Sequence, residues 1–297
     1  MEVRRLRILR EFADRGSVGA VADALKLTPS AVSQQLKVLA RESGIDLLEQ
    51  DGRGVRLTDA GRALVLRADE VIAAVDRAQD EMASRRGSSV GSVRVAMFPS
   101  ATALVLPRLL TVMYESGIEI VATDIDLTYP EAPDLLPDHD LVLTHRDERA
   151  PAIASPRVTV EPLMREPIDV VVPPGHRLAD QRTVAVDDLA DEDWISVRGG
   201  FPVDDVLLSL ATVTGVQPRI THRINDFTAI EALVADGHGI ALLPRFAVRN
   251  PDVHRLILSG VRAARQYDLV HRPEALRRPA IRSVADGLRE VVTTWAG

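Results

Sequence analysis

The stretch from Ser17 to Ala40, SVGAVADALKLTPSAVSQQLKVLA, constrains the fold of this chain more than any other. It predicts two short helices separated by a tight break. Thr28 suits the cap of the second helix, because its hydroxyl can accept an early backbone N–H. Pro29 suits the first helical position, where no amide donor is required. We therefore predict that the second helix begins at Pro29.

The two faces of this second helix differ in chemistry. Apolar residues recur at helical spacing on one face, which we expect to pack on the preceding helix. They are Ala31, Val32, Leu36 and Leu39, opposite Val21, Ala22 and Leu25. The other face carries Ser30, Ser33, Gln34 and Lys37. Hydroxyl, amide and ammonium groups suit base edges and phosphates in the major groove of DNA, so the pattern favours a helix-turn-helix. An ordinary helical hairpin with a solvated face would look the same.

A polar, glycine-broken segment follows, QDGRGVRL from Gln50 to Leu57. It predicts a small hairpin, the wing, with Arg53 at its tip and Arg56 on its flank. Two arginines placed there suit phosphates beside the groove. The sequence thus favours a winged helix-turn-helix DNA-binding domain over residues 1–58. Its candidate DNA contacts are Thr28, Ser30, Ser33, Gln34, Lys37, Arg53 and Arg56.

Charge is distributed unevenly along the chain. The whole chain carries −7, which by itself argues against a nucleic-acid partner. Residues 1–58, however, hold ten Lys or Arg against eight Asp or Glu, a net +2, so the remainder carries −9. A mildly basic head on an acidic body is consistent with DNA binding confined to one end.

Thr58 suits the cap of a long helix that we predict over residues 59–87. Its apolar residues form a narrow, heptad-like seam in a charged sequence. The seam residues are Ala60, Leu64, Val71, Val75, Ala78 and Met82. Such a helix would be ~40 Å long at ~1.5 Å per residue, which suits holding two heads apart. We favour a dimerisation helix, with packing against the protein's own body as the alternative.

The segment RGSSVGS, from Arg86 to Ser92, predicts a flexible linker and a domain boundary. Beyond it, short apolar strands alternate with helices, which indicates an α/β fold with a largely parallel sheet. The expected strands are 93–97, 118–123, 141–144 and 168–172, with a helix over about 101–114.

Four segments together resemble the LysR-type transcriptional regulators: LTPSAVSQQLKVL, RGVRLTDAG, PPGHRLA at 173–179 and VADGHGIALLP at 234–244. Two positions depart from the family pattern, Leu48 where Phe is common and Gln50 where Arg is common. The resemblance implies a periplasmic-binding-protein-like effector domain with two lobes, 93–163 plus 266–297 and 164–265. It also implies a homodimer or homotetramer on double-stranded DNA with an interrupted palindrome, a small-molecule effector in the cleft, and contact with RNA polymerase.

Ligands of such sheets lie beyond the carboxyl ends of strands, often at helix N-termini. The residues in these places are the effector candidates. They are Ser100, Thr102, Thr144, His145, Ser196, Arg198, Phe201, Asn225 and Phe227. Two structural alternatives stay open: Ser100 as a simple helix cap, and Thr228 with Glu231 as a capping box.

The segment Tyr129 to Asp140, YPEAPDLLPDHD, contains three prolines, so a long helix is not expected there. Asp138, His139 and Asp140 suit a solvated turn better than a metal site. We expect neither a metal nor a cofactor.

Other features narrow the function class. The chain has no cysteine, which excludes disulfides, thiolate metal sites and cysteine nucleophiles. It shows no secretory signal and no stretch of ~18 apolar residues, so we expect a cytoplasmic protein without a membrane partner. No GxSxG, GxGxxG, Walker A or HExxH motif occurs, so an α/β enzyme with a helical appendage is disfavoured. A solute-binding transport protein fits the body but not the head. A DNA-binding regulator with an empty cleft stays open.

Overall fold

The computed structural model describes residues 1–52, 54–85 and 91–295. The head begins with three helices, α1 Val3–Arg15, α2 Val18–Leu25 and α3 Pro29–Ser43. The predicted start of α3 is confirmed, because the Thr28 hydroxyl accepts the N–H of Ala31 at 3.2 Å. Gly16 ends α1 in the left-handed region at φ 73°, which glycine adopts at little cost. The Ser17 hydroxyl then caps α2.

The apolar face of α3 forms the centre of the head. Val32, Leu36 and Leu39 are buried against Val21 and Ala22 of α2, as the spacing predicts. Behind them the predicted wing is present as an antiparallel pair, β1 Leu48–Asp51 and β2 Gly54–Leu57. The tip residue Arg53 lies outside the described residues.

The long helix α4 spans Asp59–Arg85, and the Thr58 hydroxyl caps it by accepting the Gly61 N–H. One face packs on α1 and buries Val65, Ala68 and Ile72. An adjacent face leaves Val71 41% and Met82 46% exposed. The helix therefore has two apolar faces, one covered by its own head and one open. The predicted linker residues 86–90 are outside the part of the chain that the structure describes.

The body is built on one ten-stranded sheet with the order β4-β3-β5-β12-β6-β10-β8-β9, and β11 pairs with β6 and β7. Its strands are β3 Ser92–Met97, β4 Glu119–Asp124, β5 Leu141–Asp147, β6 Thr159–Val172, β7 Thr183–Ala185, β8 Asp193–Ser196, β9 Arg219–Arg223, β10 Ile240–Pro244, β11 His254–Ser259 and β12 Ala264–His271. The α-helices that pack around it are α5 Pro99–Val112, α6 Pro202–Thr214, α7 Phe227–Ala235 and α8 Pro279–Thr293.

The centre of the sheet is antiparallel, so the expectation of a largely parallel sheet holds only for its two flanks. Strands β3, β4 and β5 are parallel, as are β8, β9 and β10. Between them the long β6 pairs antiparallel with β12 up to Pro167 and with β10 from Ile168. The chain thus crosses between two halves on β6 and on β12. Each half has its own apolar core, one around Leu109 and one around Trp194.

The proline-rich segment forms a 3-10 helix, Tyr129–Leu135, in agreement with the prediction that no long helix forms there. The three residues considered as metal ligands all have other partners: Asp138 pairs with Arg15 at 2.8 Å, His139 Nδ1 lies 3.1 Å from the Leu135 carbonyl oxygen, and Asp140 accepts the Arg94 N–H at 2.9 Å. No group of three or more His, Asp or Glu side chains suited to a metal is found in 1–52, 54–85 and 91–295. Within the same ranges, no helix has the length and apolar character needed to cross a membrane.

A glycine at the start of α4 fixes how the wing meets the helix. A Cβ at Gly61 would lie 2.2 Å from the carbonyl oxygen of Leu47. We expect Gly61→Ala to lower the free energy of unfolding by about 1–3 kcal/mol, because backbone would have to move. Urea unfolding measures this. Gly19→Ala is the control: its Cβ would meet nothing within 4 Å, so this helical position should tolerate alanine. Equal stability of the two variants would contradict the prediction.

Candidate functional site

The polar face of α3 is open to solvent. Ser30, Gln34 and Lys37 are exposed and Ser33 is half-buried, while the opposite face of the helix is buried. The hydroxyls of Thr28 and Ser30 lie 3.0 Å apart in a hydrogen bond, so Thr28 both caps α3 and orients Ser30. The surface offers hydroxyl, amide and ammonium groups on a rigid helix. Such groups can contact base edges and phosphates.

The wing offers a weaker cation than its sequence indicates. Arg56 lies opposite Glu49 in the hairpin, and its Nη2 pairs with the Glu49 carboxylate at 2.8 Å. Both side chains are more than 40% exposed, so the pair is weak and a phosphate can compete for Arg56. Arg5, on α1, donates to Gln35 and Glu42 and thereby joins α1 to α3.

A cavity of about 420 Å³ lies between the two halves of the body. Three helices begin at its wall: α5 after Phe98, α6 after Phe201 and α7 after Asp226. Five of the residues that line the wall carry aromatic rings. They are Phe98, His145, Phe201, Phe227 and Phe246.

Two arginines are found in the wall of this cavity, and the guanidinium of Arg265 is the buried one. It is 1% exposed, and its Nε and Nη2 both lie 2.7 Å from the carboxylate of Glu166, which is fully buried. Nη2 also donates to the Ser100 hydroxyl at 3.0 Å and to the Tyr267 hydroxyl at 2.8 Å. Tyr267 in turn donates to Glu166 at 2.8 Å, and burial raises the pKa of Tyr267 well above its usual value.

His145 joins this network from β5. Its ring stacks on Phe98 with the centroids 4.1 Å apart, and its Nδ1 lies 3.4 Å from Nη1 of Arg265. Burial, helped by the charge of Arg265, lowers the pKa of His145 well below its usual value. The imidazole is therefore neutral at neutral pH and adds no charge to the cavity.

At the rim of the cavity, a polar contact centred on Asp126 links the two halves. Asp126, in the loop after β4, accepts hydrogen bonds from Arg198 and from the Asn225 amide, both at 2.6 Å. The Arg198 backbone N–H donates to Asn225 at 2.9 Å. A carboxylate from one half thus links two residues of the other half across the opening.

Five of the nine effector candidates line the cavity, and four do not. Ser100, His145, Phe201, Asn225 and Phe227 lie in its wall. Arg198 is at the rim, and Thr102 donates to the Phe98 carbonyl within α5. Thr144 faces a small crevice on the other side of β5, because neighbouring side chains on a strand point to opposite faces. Ser196 is buried behind the wall and donates to Asp204 at 3.0 Å.

Two of the structural alternatives weighed from sequence were wrong. Ser100 does not cap α5: Phe98 occupies the cap position without a side-chain hydrogen bond, and the Ser100 hydroxyl binds Arg265. Thr228 and Glu231 do not form a capping box, because Asp226 caps α7. The Glu231 carboxylate instead accepts the backbone N–H groups of the segment after β10.

The central ion pair was missed by the sequence reasoning. Arg265 and Tyr267 are two residues apart on β12, which places both side chains on one face of a buried strand. The sequence of this strand, ARQYDLVH, is half polar, so no apolar run marks it as buried. Glu166 lies 99 residues away, so its part in the pair could not be read from local pattern.

His145 gives stability a pH dependence whose sign follows from its lowered pKa. Below its ordinary value of 6.5 the unfolded chain takes up a proton that the folded chain excludes. The free energy of unfolding should be at its full value above this pH and fall below it, by up to ~1.4 kcal/mol per pH unit for this group.

Urea unfolding at about pH 7.5 and about pH 5.5 measures the effect in the native chain and in His145→Gln. The variant should lose less stability on acidification. His271, whose pKa is also lowered by burial, is present in both proteins and cancels in the comparison. Equal losses in the two proteins would count against a neutral, buried His145.

Comparison with known proteins matches the two parts of the chain to two family models. Residues 3–62 match the family model described as bacterial regulatory helix-turn-helix protein, lysR family, and residues 86–293 match the LysR substrate binding domain. The transcriptional dual regulator GltC of Bacillus subtilis is 28% identical over 253 residues, 84% of each chain.

Two solved structures share the fold over the full length. A full-length OxyR variant from Pseudomonas aeruginosa has a TM-score of 0.65 at 20% identity and covers 97% of this chain and 98% of its own. Full-length CbnR complexed with its target DNA has a TM-score of 0.56 at 24% identity and covers 98% of this chain and 100% of its own. With both family models matched in order over most of its length, the chain belongs to the LysR family of DNA-binding transcriptional regulators.

Proposed function

We propose that this regulator reads its operator through the polar face of α3. The observation that carries this is the exposure of Ser30, Gln34 and Lys37 on a helix whose other face is locked in the head core. Ser33 and Gln34 would contact base edges, and Lys37 would contact a phosphate. Thr28 would act by fixing the start of the helix. The wing arginines Arg53 and Arg56 would contact the backbone beside the groove.

The open face of α4 supports a homodimer or homotetramer as the DNA-binding form. Val71, Ala74, Ala78 and Met82 follow one another at helical spacing and are all exposed. A second copy could cover this stripe, which would hold two heads at a fixed distance. Two heads related by a dyad would bind an interrupted palindrome. Because its partners would be chromosomal DNA and RNA polymerase, we place the protein in the bacterial cytoplasm.

The cavity between the halves is the proposed effector site. Its volume of about 420 Å³ is in the range of small-molecule pockets, and hydrogen bonds at Asp126 and between Arg249 and the Ala103 carbonyl link the two halves beside it. A ligand that favours one spacing of the halves would shift the population of that state. We propose the lobes as 93–163 with 266–297, and 164–265, with the chain crossing on β6 and β12.

We propose that this site binds its ligand without chemical turnover. Ser100 and His145 are the cavity's nucleophile and base candidates, and each of them contacts Arg265. No hydrogen bond between their side chains is found among the described residues. A nucleophilic mechanism needs that contact.

Ion pairs between head and body provide a route from the cavity to the DNA-binding helices. Asp14, at the end of α1, pairs with Arg157 at 2.7 Å and with Arg272 at 2.6 Å. Asp69, on α4, pairs with Arg157 at 3.0 Å, and Asp80 pairs with Arg278 at 2.7 Å. Arg272 directly follows β12, the strand that carries Arg265. A change of geometry on β12 would therefore reach α1 and α4 through rigid, partly buried contacts.

Base reading by α3 is tested with DNA from upstream of the gene of this protein. Gln34→Ala should reduce the preference for the operator over unrelated DNA by about 1–3 kcal/mol, because an amide can make a bidentate contact to a base. Arg56→Ala should weaken binding to all sequences and lower the salt slope by about 1. Footprinting and fluorescence anisotropy at two salt concentrations measure both effects.

Gln217→Ala, an exposed glutamine of the body, is the matched control and should change neither quantity. If Gln34→Ala prefers the operator over unrelated DNA as strongly as the native chain does, Gln34 does not contact a base. Two protected half-sites related by a dyad are expected for the native chain. Absence of any protection at low salt would refute DNA binding by the head.

The head–body contact is tested by a double-mutant cycle on Asp14→Asn and Arg272→Gln. The two residues pair at 2.6 Å and are mostly buried, so their coupling energy in urea unfolding should lie at about 0.5–3 kcal/mol. The control cycle uses Arg67 and Glu70, an exposed pair on α4, for which about 0.2–0.5 kcal/mol is expected. A head–body coupling no larger than the control would show that this contact does not hold the head.

A further inference from the structure

The charges around the cavity balance one another. The buried guanidinium of Arg265 is 2.7 Å from the carboxylate of Glu166, and at the rim Arg198 is 2.6 Å from Asp126. The remaining charged residues of the wall are one cation and one anion: Arg249, which is exposed to solvent, and Asp226, which caps α7. A carboxylate entering this space would find its deepest cation already neutralised. Burying an anion without a free counter-charge is costly.

Beside Arg265, at the end of the cavity away from Asp126 and Asp226, two uncharged hydrogen-bonding groups act as donors. The Ser100 oxygen accepts from Arg265, which leaves its O–H to donate. Nδ1 of His145 faces an arginine N–H, so the proton of the neutral ring lies on Nε2. In the part of the chain that the structure describes, this Nε2–H has no partner. A ligand that satisfies these groups must accept hydrogen bonds.

The shape of the wall favours a flat ring. Phe98 and His145 are stacked 4.1 Å apart, and Phe201 continues the row at 6.4 Å from His145. The guanidinium of Arg265 lies 5.1 Å from the Phe98 ring and 5.8 Å from the Phe227 ring. Because a cavity of about 150 Å³ accommodates benzene, one of about 420 Å³ accommodates one or two fused rings with a polar substituent.

From these observations we infer that the effector is an uncharged aromatic carbonyl compound, and that Glu166 is the residue that selects it over aromatic carboxylates. The ring would lie among Phe98, Phe201 and Phe227, and its carbonyl oxygen would accept from Ser100 and His145. Glu166 acts through Arg265 without touching the ligand, because it neutralises the guanidinium that would otherwise attract a carboxylate. The inference rests on the proposed role of the cavity as the effector site.

Two pairs of matched probes test the ligand class on the full-length protein. Benzamide and benzoate share size and shape but differ in charge, as do 2-naphthamide and 2-naphthoate. Isothermal titration at neutral pH should show that at least one amide binds, and at least about tenfold more tightly than its carboxylate. Carboxylates that bind as tightly as the amides, or the failure of both amides to bind, would overturn the inference.

The selecting role of Glu166 is tested with Glu166→Gln. Removing the negative charge leaves Arg265 free to pair with a ligand, so the preference between benzamide and benzoate should reverse. If Glu166 had only a structural role, the substitution would weaken the binding of both benzamide and benzoate but would not change which of them binds more tightly. An unchanged order in a folded variant would overturn the role of Glu166.

Glu166 also accepts the Phe246 backbone N–H at 2.7 Å, and the glutamine substitution disturbs that hydrogen bond. A second pair of variants, at His145, therefore tests the ligand contact independently. His145→Phe keeps a ring against Phe98 but removes the Nε2–H donor. It should weaken benzamide binding about tenfold, and His145→Gln, which retains an N–H donor, should restore it. Equal binding of benzamide by these two variants would refute donation from this position.

Footprinting of the same samples separates this inference from the proposed function. Protected half-sites with no binding of either amide would refute the ligand class and leave the DNA-binding regulator standing. Amide binding that leaves the footprint unchanged would support the ligand class and refute the effector role of the cavity. Amide binding that alters the footprint supports both.

Discussion

A buried ion pair lies where the two halves of the body meet, and the cavity depends on it. Arg265 and Glu166 are direct partners in the pairing of β12 with β6, the two strands on which the chain crosses between the halves. Unpaired, either charge would be strongly destabilising in this position, so each holds the other in place. Because the guanidinium also binds Ser100 and lies beside His145, the same pair positions the first turn of α5 and a side chain of β5.

Arginine–carboxylate pairs recur throughout the body and at its contact with the head. All but two of the 36 basic residues are arginine, and both lysines lie in the head. Buried carboxylates farther along the same two strands are also paired with arginines, Asp169 on β6 with Arg245 at 2.8 Å and Asp268 on β12 with Arg146 at 2.7 Å. A planar guanidinium can bind a carboxylate through two parallel N–H groups, which fixes orientation as well as charge. The body is therefore acidic overall, yet it contains many arginines that are paired with carboxylates.

The head could be predicted almost completely, and the body only in part. Each head helix is delimited by local chemistry: Gly16 ends one, Ser17 and Thr28 cap the next two, and Pro29 begins α3. The order of strands and helices in the body also follows from its apolar runs. The antiparallel centre of the sheet does not, because it results from β6 pairing with β10 and β12, whose paired residues are 70 to 112 positions later in the chain. Thr144 and Ser196 lie on strands β5 and β8 but face away from the cavity, since the pleat sends alternate side chains to opposite sides.

By itself, the sequence determined the winged head with its polar α3 face, the long helix, the α/β character of the body and the loops in which a ligand site would form. These features depend on capping, periodicity and turn residues that act over a few positions, and the resemblance to the LysR family rests on the same local segments. Only the tertiary structure decided which of the candidate side chains share a cavity and what charge that cavity presents. Glu166 and Arg265 are 99 residues apart, and Asp126 and Arg198 are 72 apart. Long-range pairs of this kind are set by how the strands assemble, because no local pattern records which distant residue will lie opposite.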